Sequence, residues 1–306
     1  MRIDYNHLTT LATVDRLGSF EAAAAELGIT PSAISQRIRA LEDRVGTSLL
    51  VRSQPVTATT TGRRLVRHAR EVDLLEAALI SDIGLDSANR TDAQPVVRVA
   101  VNADSLATWL IPALAEVREF MVDVVVDDQD HSADWLRRGD VAAAITGIPG
   151  PVAGCAAHRL GALRYLATAS EEFVDKWFKN GVDAAVLAQA PALTFNRKDR
   201  LQADWAAAVT GNRISPRTHF LPSSQALMEA ARRGMGWCLI PEPLVEEHVA
   251  SGNLVVVLAD KPLDTPLFWQ TARVTAGALS NLTRAVRQAA KDNLIPTAAG
   301  AEEQFI

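Results

Sequence analysis

The chain has 306 residues, 48% of them hydrophobic and 22% charged, and a net charge of −5. That size allows two or three domains around a sizeable core, while no apolar run reaches the roughly 18 residues that span a bilayer. The start "MRIDYNHLTT" has no signal-peptide core, so a cytoplasmic protein without membrane contact is expected.

Charge is unevenly spread. Residues 1–70 hold ten Arg, no Lys and six acidic residues, a local balance of +4 that leaves −9 for residues 71–306. A basic front end on an acidic body predicts separate tasks, because the local field decides whether a polyanion binds. Only Cys155 and Cys238 occur, outside any CxxC or Cys/His cluster. Neither a disulfide framework nor a zinc site is expected, and no cofactor or metal is called for.

In chain order, residues 4–17 place Leu8, Leu11, Ala12 and Leu17 at helical spacing, and Gly18 closes that helix. "SFEAAAAELG" reads as a short Ala-rich helix capped by Ser19 and ended by Gly28. In "GITPSAISQRIRALE" Thr30 offers an N-cap oxygen and Pro31 fits the first helical position. Ile34, Ile38, Leu41 and Val45 form the buried stripe of this third helix. Ser32, Ser35, Gln36 and Arg39 face outward, with Ala33 and Arg37 on the margins. Two short helices across a Gly turn, the second rich in exposed Ser, Gln and Arg, make a helix-turn-helix. "GTSLLVRSQPVTATTTG" then reads as a two-stranded wing. A long helix follows, capped by Thr59 or Thr60, in which Leu65, Ala69, Val72, Leu75 and Leu79 form a narrow seam suited to pairing with a second copy.

"LDSANRTDAQP" is a polar hinge ending at Pro95. Beyond it strands and helices alternate: "VVRVAV", the helix "SLATWLIPALAEVREF", "VDVVVD", a short helix and "VAAAIT". Continuous apolar strands predict a parallel sheet covered on both faces. Further strands are expected at 164–169, 192–195, 217–221, 236–240 and 254–258, then "TPLFWQTAR" and a closing helix from about Gly277 to Asn293.

Taken together, "LATVDRLGSFEAAAAELGITPSAISQRIRALEDRVGTSLLVR" resembles the N-terminal module of LysR-type transcriptional regulators in order, spacing and wing. The likeness runs over nearly the whole chain, and "SAISQRIRALE" with "NADSLATWLIPAL" resembles the LysG/ArgP branch. It implies an N-terminal winged helix-turn-helix (1–58), a linker and dimerisation helix (59–88), a hinge (89–95) and a C-terminal effector domain (96–306). The last is an α/β fold of two lobes like periplasmic binding proteins, lobe I about 96–165 and 268–295, lobe II about 166–267. The branch implies a regulator that senses lysine or arginine and controls a basic-amino-acid exporter gene. Implied partners are operator double-stranded DNA, the effector and further copies in a homodimer or homotetramer; RNA polymerase is a further candidate.

Transferred to this sequence, the recognition helix runs from Pro31 to about Arg44, and Thr30, Ser32, Ala33, Ser35 and Gln36 lie nearest the bases. Gln reads adenine bidentately, a Ser hydroxyl adapts, and an Ala methyl touches thymine. Arg37, Arg39 and Arg52 at the wing base are placed as phosphate clamps. Where many members carry Arg then Gln, this chain has Gln36 then Arg37. Any one of these side chains alone reads as a solvated face; the whole set on one face after a capped turn reads as a DNA surface.

In the effector domain, ligands gather at strand C-terminal ends. "VAVNADSLATW" supplies Asn102, Asp104 and Ser105 at such an end, with a helix start suited to a carboxylate. "VDDQDH" supplies Asp127, Asp128, Asp130 and His131, and "ITG" supplies Thr146 and Gly147. The second lobe offers Phe195, Asn196 and Ser223. Asp104 and Asp128 are the expected holders of a dibasic ligand's ammonium groups, although each aspartate alone reads as a cap or a solvated residue. Ligand is expected to close the lobes on themselves. Two other readings compete: an architectural DNA binder without small effector, or the same type of regulator with a different effector. An enzyme on the α/β lobes lacks any nucleophile–base motif, P-loop, GxSxG or HExxH.

Overall fold

The computed structural model describes residues 3–84, 94–129 and 131–297. The expected linker and hinge residues 85–93, and Asp130, lie outside the described residues.

The N-terminal unit opens with α1 (Tyr5–Leu17), α2 (Phe20–Leu27) and α3 (Pro31–Val45). Local chemistry fixes all three starts. The Asp4 side chain accepts from the Asn6 N–H, Ser19 from Ala22 and Thr30 from Ala33, each satisfying an orphan donor of a first turn. Gly18, Gly28 and Gly46 end the helices in the left-handed conformation. Leu8, Leu11 and Val14 of α1 meet Ala23, Ala24, Ile34, Ile38 and Leu41 in one core. The wing is an antiparallel pair, β1 (Leu50–Val51) with β2 (Thr57–Ala58). Its second strand is tied back to α1, where the Ala58 N–H donates to Asp15 at 2.8 Å.

The long helix α4 (Thr60–Asp82) starts at Thr59, whose hydroxyl accepts from the Gly62 N–H at 3.1 Å. It lies along α1, burying Val66 and Ala69, and Tyr5 hydrogen-bonds Asp73 across the pair. The expected seam is therefore divided. Ala69 belongs to the intramolecular core, whereas Leu75 and Leu79 stay exposed, as does Ile83 just past the helix end.

The larger unit runs β3 (Val96–Val101), α5 (Ala103–Thr108), α6 (Leu110–Glu116), β4 (Met121–Val126), α7 (Ser132–Arg138), β5 (Ala143–Thr146) and β6 (Cys155–Ala169). There follow α8 (Glu171–Trp177), α9 (Ala184–Gln189), β7 (Ala192–Thr194), α10 (Leu201–Thr210), β8 (Thr218–Phe220) and α11 (Ser224–Arg232). The domain closes with β9 (Cys238–Pro241), α12 (Glu242–Ala250), β10 (Val255–Val256), β11 (Leu263–Ala272) and α13 (Ser280–Asn293).

Three expectations need correction. The main sheet is mixed: in the order β10-β6-β11-β5-β3-β4, with β9 also on β6, only β3 pairs in parallel, with β4 and β5. Continuous apolar runs report burial on both faces, not strand direction. The strand expected at 164–169 begins at Cys155, and its partner β11 follows it from Leu263 opposite Tyr165 to Ala272 opposite Cys155. The helix expected over 105–120 breaks at Trp109 and ends at Glu116. Pro112 has no N–H for the Thr108 carbonyl and its ring crowds that turn, so α5 cannot continue through it. A separate parallel pair, β7 with β8, serves the second lobe.

Gly62 sits inside α4 against the wing: a Cβ there would lie 2.1 Å from the Leu49 carbonyl oxygen and 3.2 Å from the Ala58 Cβ. Helix propensity alone makes Gly→Ala favourable by about 0.5–1 kcal/mol. The steric term is larger, and Gly62→Ala should destabilise by about 1–3 kcal/mol. Urea unfolding of the variant checks the sign, and a midpoint at or above wild type would refute the contact.

Candidate effector cleft and nucleic-acid interface

The recognition helix α3 turns its apolar side inward through Ile34, Ile38 and Leu41. Thr30, Ser32, Gln36 and Arg39 are exposed, with Ala33 and Ser35 half-buried beside them. Arg37 behaves differently. It is half-buried, and its guanidinium donates to the Thr10 hydroxyl of α1 at 3.3 Å, so part of its capacity ties two helices of the head together. Arg52 is exposed immediately after β1. Glu42 near the end of α3 accepts from the Leu49 N–H at 2.8 Å and so locks the wing to the recognition helix.

In the effector domain a cleft opens where β3 and β4 end and the second lobe faces them. Asn102, Asp104, Asp128 and Phe195 line it, as do Asp127, Gln129, Asp199, Gln202 and Ser224, with no Lys, Arg or His in the lining. In this conformation the free space is about 30 Å³, room for about one water molecule and far below the roughly 300 Å³ of an ordinary small-molecule pocket. Admission of an amino acid requires the lobes or the lining side chains to separate.

Asp104 holds the centre. One carboxylate oxygen accepts from the Ser224 hydroxyl of α11 at 2.6 Å and the other from the Tyr165 hydroxyl of β6 at 2.8 Å. Burial raises its pKa above the ordinary carboxylate range; the two hydroxyl bonds act the other way, and the nearby Asp128 raises it again. The Tyr165 phenol is pushed up in turn, first by burial and then by the Asp104 charge. Beside Asp104, the Asn102 side chain is 3% exposed and neither its Nδ2 nor its Oδ1 has a partner. Gln202, 4% exposed, likewise leaves its Oε1 unmatched. Buried polar atoms without partners are uncommon and cost about 1–3 kcal/mol each, so the cleft holds recognition capacity that the chain itself does not use.

The other expected effector residues lie elsewhere. Ser105 is buried outside the lining with its hydroxyl unpartnered. The Thr146 hydroxyl accepts from the Gln270 amide at 2.9 Å in a buried network behind the cleft, and the Gly147 N–H donates to the Gln129 carbonyl. The Asn196 side chain accepts from the Lys198 and Asp199 N–H groups, closing a turn. Ser223 caps α11, so its neighbour Ser224 is the serine that meets Asp104. Asp127 accepts from the Trp135 indole at 2.9 Å and from the Asp128 N–H, which makes it a positioning group for the strand end.

Asp199, Gln202, Gln129 and Ser224 were not among the expected residues. "NRKD" and "LPSSQ" carried the signal for Asp199 and Ser224, since an acidic residue after a strand and a second Ser in a helix's first turn both point toward the strand ends. Cys155 and Cys238 are buried free thiols, and among the described residues no three of His, Cys, Asp and Glu are grouped to hold a metal.

Residues 5–63 match the model of the bacterial regulatory helix-turn-helix proteins of the lysR family, and residues 90–294 match the LysR substrate binding domain. The chain belongs to the LysR family. The lysine export transcriptional regulatory protein LysG of Corynebacterium efficiens is 41% identical over 94% of this chain and 98% of its own. The crystal structure of ArgP from Mycobacterium tuberculosis superposes with a TM-score of 0.81, at 41% identity over 97% of this chain and 100% of that one. Full-length LysG of Corynebacterium glutamicum with bound effector Arg gives 0.68, at 37% identity over 96% and 100% of the two chains. As a LysR-family member the chain is a DNA-binding transcriptional regulator and not an enzyme. Among the described residues no helix is long and apolar enough to cross a membrane.

Because the pKa of Asp104 is raised on folding, its protonation favours the folded state: its contribution is present at low pH and falls as pH rises from the unfolded carboxyl range toward the folded pKa. Asp104→Asn removes this decline, so variant stability relative to wild type should rise with pH. Urea unfolding of both proteins at pH 4 and pH 8 measures it; a constant difference would mean that the carboxyl is not desolvated.

Proposed function

We propose that this regulator senses a basic amino acid, lysine or arginine, in the cleft between its lobes. The observation that carries the reading is the unopposed sign of the cleft: Asp104, Asp127, Asp128 and Asp199 line it, no basic side chain does, and the buried Asn102 amide is without a partner. A ligand with two cationic groups matches carboxylates spread over both lobes, and the Asn102 amide suits its carboxylate. The relative from C. glutamicum, 37% identical, carries Arg as its effector.

Asp104 bridges the lobes through Ser224, so an entering cation competes for a carboxylate that already holds them together. The expected closure on ligand is thus replaced by exchange: the ligand must first part the Asp104–Ser224 contact and then supply the bridge itself. Only a difference in affinity between the two arrangements shifts the population. The relative from C. efficiens bears on export of lysine, and we extend that to this chain as control of a basic-amino-acid exporter gene in the cytoplasm. The exposed Leu75 and Leu79 on α4, with Ile83 just past its end, supply the face by which copies pair into dimers or tetramers.

In the DNA head, Gln36, Ser32, Ser35 and Ala33 with the Thr30 end of the helix read bases, and Arg39 and Arg52 clamp phosphates. Arg37 joins them while bracing α1.

A melting series with the twenty amino acids should single out Lys or Arg through a concentration-dependent rise in Tm, reflecting a stabilisation of about 2.7 kcal/mol at a hundredfold excess over Kd. No response to any basic amino acid would sink the effector assignment and leave the DNA role intact. In binding titrations Gln36→Ala should lose about 1–3 kcal/mol of operator discrimination. Arg52→Ala should instead weaken all sequences alike and lower the salt slope by about one. Equal losses on operator and random DNA from both variants would contradict the division of roles.

A further inference from the structure

The effector domain carries a second concavity, of opposite sign to the cleft. It is an open groove of about 620 Å³ between α13 and the strands β6 and β11. Arg159, Arg284, Arg287, Lys291 and His158 line it together with Thr283, whose hydroxyl accepts from the Trp269 indole at 3.1 Å, and no aspartate or glutamate does.

Its construction follows from local sequence. Helix α13 buries Leu282, Val286 and Ala290, which turns Arg284, Arg287 and Lys291 outward at i, i+3 and i+7 on one face. The pairing of β6 with β11 shifts register between Leu267 and Phe268, opposite Gly161 and Arg159. Leu160 is the extra residue of this bulge, which re-aims the strand beside Arg159. Gly161 has φ +134°, and a Cβ there would lie 2.9 Å from the Ile295 carbonyl oxygen. The chain leaving α13 packs against that glycine and exchanges two 2.9 Å backbone hydrogen bonds between Ala162 and Ile295. That fixes one wall of the groove.

The charges are poorly opposed. Among the described residues Arg159, Arg284, Arg287 and Lys291 form no ion pair within 4 Å, whereas Arg98, Arg137, Arg138, Arg164, Arg200, Arg232 and Arg233 of the same domain each do. Arg284 donates to Asn281 and lies in the field of Glu119, which is outside the groove's lining. Burial, and then the Arg287 charge, lower the pKa of the half-buried His158. Such a cluster, in a stretch of chain whose net charge is −9, gathers four cations and a histidine with no carboxylate in the groove's lining.

We infer that this groove is a second ligand site, for a small multivalent anion such as a phosphate ester or a di- or tricarboxylate. Guanidinium forks bind such oxygens bidentately, and the His158 imidazole of the same lining adds a further donor. A single negative charge would leave most of the cluster unmatched.

Pyrophosphate and citrate, titrated into the full chain at constant ionic strength held with sodium chloride, test the site by calorimetry and by the NMR signals of the His158 imidazole. Saturable binding is expected, with the His158 pKa rising because a neighbouring anion favours the imidazolium. Arg287→Gln combined with Lys291→Gln should weaken binding at least tenfold; both positions are exposed, and circular dichroism verifies the fold. Should that variant fail to fold, Arg159→Gln on the opposite wall should lower affinity in the same assay. A response that grows linearly without saturating, or equal affinity in the variants, would overturn the proposal. So would a His158 response to non-operator duplex DNA with none to either small anion, which would make the groove a macromolecular face.

Discussion

Both lobes of the effector domain hang on one pair of strands. β6 and β11 lie antiparallel from Leu263 opposite Tyr165 to Ala272 opposite Cys155, and their two ends serve different lobes: β5 adds to β11 at one, β9 and β10 add to β6 at the other. A continuous ladder resists shear but tolerates bending where its register breaks, at the Leu160 bulge. The cleft is the space that this shared ladder leaves between two half-sheets. Its residues therefore come from the ends of β3 and β4 on one side and from the starts of α10 and α11 on the other.

The contact across that space is close to balanced. Burying an ion costs several kcal/mol, and each hydrogen bond to a charged group returns about 1.5–3 kcal/mol. Ser224 and Tyr165 supply two such bonds to Asp104, yet its pKa remains raised, so burial still outweighs them. A cation reaching this carboxylate would recover the difference. The same balance explains how a buried acid can be held without a basic partner in the lining: hydroxyls carry part of the work of a counter-ion and leave the rest to be supplied from outside.

What the sequence discloses depends on how local the physics is. Ser19, Thr30 and Thr59 are legible as caps because each acts on a backbone N–H three residues away. The helix-turn-helix and its wing follow from such signals plus one apolar stripe. The first half of β6, "CAAHRLGAL", is not legible as strand, since its Ala-rich pattern carries no β signal and its pairing comes from β11, about a hundred residues later. The cleft behaves likewise. Asn102, Asp104 and Asp128 announce themselves at strand ends, but whether Ser223 or Ser224 faces them depends on the angle at which α11 docks. A one-residue error on a helix is a rotation of about 100°.

A short series of contacts runs from the strand that borders the cleft to the DNA head. β3 carries Arg98 near its start and delivers Asn102 and Asp104 just past its end, about 13 Å along a strand. Arg98 pairs with Asp123 of β4 at 2.9 Å, and its charge reaches Arg70 of α4. Arg70 in turn lies 3.7 Å from Asp15 of α1, the same carboxylate that accepts the Ala58 N–H of the wing. Burial is the first cause lowering the pKa of Arg70, with Asp15 opposing it and Arg98 adding to it. A half-buried guanidinium, attracted from one side and repelled from the other, is less screened by solvent than a fully exposed one. On the proposed function, a ligand that displaced the far end of β3 would move Arg98 and Asp123 relative to Arg70, the neighbour of the carboxylate that holds the wing. The strand supplies stiffness and the half-buried arginine a charge contact on each side, so coupling of the two sites along this route would need both.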